Sequence, residues 1–122
     1  MKFVNIAKYG SLDTTARVRP AHFAYADNLR AQGKLAIGGP LLDDKGQRVG
    51  LIFVYEAASK EEALAFANED PFVREGAIAS FELHQWLIEG VNPALLTPDF
   101  SSERQKLAAS ASMSQSSNGE RT

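Results

Sequence analysis

Cysteine is absent from all 122 residues, which removes disulfides, thiol nucleophiles and thiolate metal centres from consideration. Charge of one sign is also missing: the formal net is -2, with no basic cluster, so a nucleic-acid partner has no electrostatic footprint here. No apolar run approaches the roughly 20 residues that a membrane span requires. Met1-Lys2 leads straight into an alternating segment, without the apolar core of a signal peptide. A soluble cytoplasmic protein with no nucleic-acid and no membrane partner is therefore expected. There is no glycine-rich turn running into Lys-Ser/Thr and no G-x-S-x-G context around Ser11, Ser59 or Ser80, so neither a phosphate loop nor a serine-nucleophile elbow is indicated. Two histidines on separate elements, with no third ligand near, make a poor metal site. No metal or cofactor is expected.

A hydrophobic share of 44% is ordinary for a folded core, and the length suits one domain. Lys2 to Tyr9 alternates with apolar residues on both faces, as an interior strand does. A helix is expected from about Val18 to Gly33, with Pro20 tolerable only in its first turn. Val18, His22, Tyr25 and Leu29 fall on one helical face. Leu35 to Leu42 reads as a strand closed by Pro40, and Asp43 to Gly46 as a hairpin turn. Val49 to Ala57 reads as a central strand. Ser59 with Glu62 forms a capping box that opens a second helix, which Pro71 stops just after Asp70. Ile78 to Ile88 alternates again.

The order β-α-β-β-α-β is the ferredoxin-like arrangement. Right-handed crossovers place two helices on one face of a four-stranded antiparallel sheet, with the first and third strands central. The helices then run antiparallel, so the start of the first lies near the end of the second and His22 is expected beside Asp70. The second sheet face, apolar but uncovered, calls for a homodimer or a larger assembly built on one. Residues 1–90 form the domain and 91–100 an arm. Residues 101–122, with seven serines, read as a disordered tail.

A histidine on an apolar helical face is more often a satisfied core residue than a catalyst. An acid at a helix C-terminus, however, meets the negative end of the dipole at a cost of about 0.3–1 kcal/mol. A nearby imidazole would relieve that conflict, and an aspartate holding a histidine tautomer is an acid/base device. His22 and Asp70 are the candidate catalytic residues. Arg19, one turn from His22, is a candidate anchor for a substrate anion. Gly39 and Pro40 would let backbone approach a ligand, and Tyr9 and Tyr55 would line the same cavity. Each has a plainer role available, as a solvated arginine, a strand turn or an ordinary strand aromatic.

Arg19-Pro20-Ala21-His22 with Leu29, Gly33-Lys34-Leu35 leading to Gly39-Pro40, Gly50, Glu62-Ala63, and Asp70-Pro71-Phe72-Val73 with Gly76 occur in this order. With them the chain resembles the YCII-related (YciI-like) family of the dimeric α+β barrel group, over Met1 to about Leu87. The resemblance implies a dimer with two sheets face to face and a His22–Asp70 pair in a cleft between helices and sheet. It further implies cofactor-free proton transfer on a small acidic or ring-derived molecule, as in a dehydrochlorinase or a muconolactone isomerase. A non-catalytic metabolite-binding or assembly module is the alternative, and a cofactor-free oxygenase a weaker one.

Overall fold

The computed structural model describes residues 1–96. The chain divides into two compact units, Met1–Ile88 and Glu89–Thr122. The first holds four strands, β1 (Lys2–Tyr9), β2 (Leu35–Leu42), β3 (Arg48–Glu56) and β4 (Ile78–Gln85), and three helices, α1 (Leu12–Ala31), α2 (Lys60–Glu69) and α3 (Pro71–Arg74). In the second, the described part contains one 3-10 turn, Pro93–Leu95, capped by the Asn92 side chain on the Ala94 N–H at 3.0 Å. The expected tail over 101–122 and the end of the arm, 97–100, lie outside the described residues.

The sheet order is β2-β3-β1-β4, antiparallel throughout. This is the ferredoxin-like α+β fold with β1 and β3 in the middle. Register sorts the side chains. Phe3 faces Tyr55 and Asn5 faces Phe53 on one side, while Val4 meets Val54 and Ile6 meets Ile52 on the other. The first side is the core: Phe3 and Tyr55 are 2% and 0% exposed, and Phe66 of α2 and Phe72 of α3 pack with them. Each such side chain contributes about 1.5–3 kcal/mol by leaving water. On the opposite side Ile6 of β1 and Ile37 and Leu41 of β2 remain 38–43% exposed, an apolar stripe that reaches from the middle of the sheet to its β2 edge.

Helix α1 starts well before the expected Val18. Ser11 caps it, accepting the Thr14 N–H at 3.2 Å, and Asp13 sits favourably in the first turn. Pro20 is consequently in the helix interior, not its first turn. Its ring faces solvent, where the missing N–H costs stability, about 3 kcal/mol on host scales, without breaking the helix. The far end closes as a Schellman motif: Lys34 N–H reaches Leu29 C=O at 2.9 Å and Gly33, at φ 75°, reaches Arg30 C=O at 3.1 Å.

Pro40 does not close β2. The strand continues to Leu42, and as an edge strand it accommodates a residue without a ladder donor. β4 stops at Gln85 instead of Ile88, because its partner β1 begins at Lys2, whose carbonyl accepts the Trp86 N–H at 2.9 Å as the last link. Two glycines hold close approaches. A Cβ at Gly50 would lie 2.3 Å from the Ala7 carbonyl oxygen, and one at Gly38 would lie 2.3 Å from the Phe53 ring.

Candidate active site

His22 projects from the buried stripe of α1, between Val18 and Ala26. Asp70 stands at the junction of two helices, ending α2 and capping α3. Its extended backbone, forced by the following proline, lets Oδ1 accept the Phe72 N–H at 2.9 Å. This revises the dipole argument made from sequence. Asp70 faces not only the negative end of α2 but also the first N–H groups of α3, so its charge is partly answered before the histidine is considered.

The two side chains meet. His22 Nδ1 lies 2.9 Å from Oδ1 and 3.0 Å from Oδ2 of Asp70, with the residues only 5% and 4% exposed. A carboxylate has no proton to give, so Nδ1 carries the hydrogen and donates it. The lone pair of the neutral ring is then on Nε2, outside the pair. The imidazole lies nearly parallel to Phe72, centroids 3.9 Å apart at 12°, and to Phe53, 5.4 Å at 18°. These contacts hold the ring plane while the carboxylate fixes its rotation.

Around this pair the structure distributes the other sequence candidates unevenly. Tyr9 sets its ring edge-on to Phe72 at 5.4 Å. Burial pushes its hydroxyl above the usual phenol range; the positive charges of Arg19 and Arg48 oppose this and Asp70 adds to it. Arg19 is one turn from His22, and its Nε is buried without a hydrogen-bond partner among the described residues. Tyr55 does not line a cavity. It is sealed in the core, its hydroxyl accepting from Asn5 Nδ2 at 3.2 Å, and burial raises its pKa. Gly39 pairs with Ile52, so it is on the sheet face away from the helices, whereas Pro40 pairs with Leu51 on the helix side. His84 is exposed on β4 beside Glu82, 3.1 Å away.

Two residues escaped the sequence reading. Arg48, at the start of β3, acts on Tyr9. Asn5 is 4% exposed and leaves its Oδ1 without a partner among the described residues. A polar residue at a core-facing strand position was the available signal. Unsatisfied buried groups of this kind cost about 1–3 kcal/mol each and are uncommon in native cores. A separate groove of about 360 Å³ on the outer side of α1 and α3 is lined by Arg17, Val18, Ala21, Pro71, Arg74 and Glu75; none of the candidate side chains borders it. Among the described residues, no three His, Asp or Glu side chains converge as a metal would need, and no helix is long and apolar enough to cross a membrane.

A ferredoxin-like α+β domain with a sealed His–Asp pair between helix and sheet defines the class. The profile of the YCII-related domain matches residues 1–87, and the chain belongs to that family. Among similar proteins are those called YciI from Escherichia coli and Shigella flexneri. Each is 36% identical over 75 residues, which is 57% of this chain and 76% of the relative. A solved structure of 5-chloro-2-hydroxyhydroquinone dehydrochlorinase from Burkholderia phenoliruptrix, in complex with 2,5-dihydroxybenzoquinone, is 29% identical. It is similar over 73% of this chain and 96% of its own, with a TM-score of 0.62.

Proposed function

We propose that this chain is a small cofactor-independent lyase or isomerase that moves protons on a ring-derived or acidic metabolite. The observation that carries this reading is the orientation of His22, whose Nδ1 is held by both oxygens of Asp70 at 2.9 and 3.0 Å. That hydrogen bond makes Nε2 the base. Nε2 takes a proton from the substrate, Asp70 stabilises the imidazolium so formed, and the same nitrogen returns the proton to product or solvent. Arg19 and Tyr9 are the proposed substrate contacts, with Pro40 at the rim; Gly39 and Tyr55 are left out of this set by their positions. The dehydrochlorinase relative supplies the substrate class, hydroxylated and halogenated quinols. The working form is a homodimer joined through the stripe of Ile6, Ile37 and Leu41.

One observation favours a second reading. Asp70 also caps α3 through Phe72, so the pair can serve as a clasp joining α1 to α3 in a module that binds a metabolite without converting it. Incubation with 5-chloro-2-hydroxyhydroquinone and a panel of unchlorinated quinols and cyclic keto acids separates the two. Chloride release or isomerisation that falls about 10²–10⁴-fold in His22→Asn supports the enzyme. Binding without turnover across the panel supports the module.

A further inference from the structure

We propose that the groove between α1 and α3 is a second ligand site, one that takes a small organic anion by bridging its oxyanion between Arg17 and Arg74. The groove measures about 360 Å³, within the range of about 300–1,000 Å³ usual for small-molecule sites. One turn of each helix builds it: Arg17, Val18 and Ala21 from α1, and Pro71, Arg74 and Glu75 from α3 and its C-cap. His22, Asp70, Arg19 and Tyr9 do not border it, so the proposal stands apart from proton transfer at that pair.

Charge is the first support. Arg17 and Arg74 are exposed, and neither side chain has a hydrogen bond or ion pair among the described residues. Glu75 lines the same groove without bonding to either of them. Two guanidiniums against one carboxylate leave the lining positive in a chain whose net charge is -2, so the positive spot is local. Like charges facing one groove repel. A planar oxyanion between them relieves this and takes guanidinium N–H groups in pairs. Shape is the second support. Val18 is only 5% exposed and forms an apolar floor with Ala21 and half-buried Pro71. Ala21 stands four positions after Arg17, on the same helical face, and its single methyl leaves the space open. A carboxylate or phosphate on a small apolar body therefore matches both the rim and the floor.

The test titrates three probes with the same ring, benzoate, phenyl phosphate and neutral benzamide, into the full chain and follows the backbone amides by NMR. The anions are expected to shift Ala21, Arg74 and Glu75 and to bind at least about tenfold more tightly than benzamide, the scale of one charge-assisted hydrogen bond. A tighter phenyl phosphate assigns the site to phosphate monoesters, and a tighter benzoate assigns it to carboxylates. Arg17→Gln and Arg74→Gln should each remove most of the anion preference while leaving benzamide affinity and melting temperature unchanged. Ala21→Leu, which fills the groove and keeps both charges, should block all three probes. Equal affinity for anions and benzamide, no binding at tens of millimolar, or an undiminished preference in both arginine variants would overturn the proposal. So would shifts that gather around His22 and Phe72, which would give the anion to the His–Asp pair, or concentration-dependent shifts at Ala21 without any probe, which would give the groove to a second copy of the chain. Failure of the quinol panel to turn over leaves this site standing.

Discussion

Replacing Asp70 by asparagine changes one thing that the structure makes calculable. The amide keeps the volume of the carboxylate, and its oxygen can still accept the Phe72 N–H that Oδ1 accepts at 2.9 Å. Toward His22, however, an amide N–H group replaces Oδ2, which stands 3.0 Å from Nδ1, while the retained oxygen at 2.9 Å is shared with the Phe72 N–H. An amide hydrogen directed at Nδ1 opposes a hydrogen there, so the ring is expected to offer the Nδ1 lone pair and move its hydrogen to Nε2. The stability cost is the difference between a charge-assisted hydrogen bond and a neutral one, about 1–1.5 kcal/mol. That corresponds to a fall of roughly 4–8 °C in melting temperature for a domain of this size. The functional cost is far larger, because Nε2 loses its lone pair and the general base with it, about 10²–10⁴-fold in rate. Two-bond 1H–15N correlation spectra of the histidine rings read the tautomer directly, with exposed His84 as internal control. The wild type should show Nδ1–H at His22 and Asp70→Asn should show Nε2–H. An Nε2–H tautomer in the wild type, or identical tautomers in both proteins, would refute the reasoning.

Other outcomes follow from the same geometry. Ile52→Lys, on the open sheet face, should shift light-scattering mass from twice 13.3 kDa toward the single-chain value without unfolding; a wild type that is already monomeric would contradict the proposed dimer. Gly50→Ala should lower stability by about 1–3 kcal/mol or more in urea titration, since its Cβ would meet the Ala7 carbonyl oxygen at 2.3 Å, and an unchanged midpoint would be inconsistent with that register. Pro20→Ala should raise stability by up to about 3 kcal/mol by restoring a helical donor on an exposed face. Burial, with Glu69 and Asp70 adding to it, pushes Tyr25 up to about 12 from 10.0. A folded-state pKa above the unfolded one favours the neutral phenol, so this contribution is complete below pH 10 and is lost as pH rises toward 12. Absorbance at alkaline pH should show tyrosinate appearing only above the usual range, together with loss of stability.

The fold was legible wherever burial imposes a period. Alternation in Lys2–Tyr9 marks that strand to its ends, the turn residues Asp43 to Gly46 bound Leu35–Leu42, and helix order alone brings His22 to Asp70. What escaped was set by local competition or by tertiary contact. Pro20 pointed to a helix start near Val18, yet Ser11 and Asp13 start it earlier and the rest of the helix outweighs one proline. α3 is a four-residue helix, too short for any periodicity, so the element that Asp70 caps was hidden although Asp-Pro is a helix-start pattern. Ring stacking on His22, the sealing of Tyr55 and the approach of Arg48 to Tyr9 depend on side chains from different elements, and a linear pattern carries no trace of them.

The central claim is that His22 acts chemically and is not only a clasp. The most direct test measures turnover of the quinol panel and melting temperature side by side for wild type and His22→Asn. The account predicts a fall in rate of at least about 10²-fold, with the variant still folded and still binding ligand. Retained turnover in a variant whose melting temperature has dropped would contradict it.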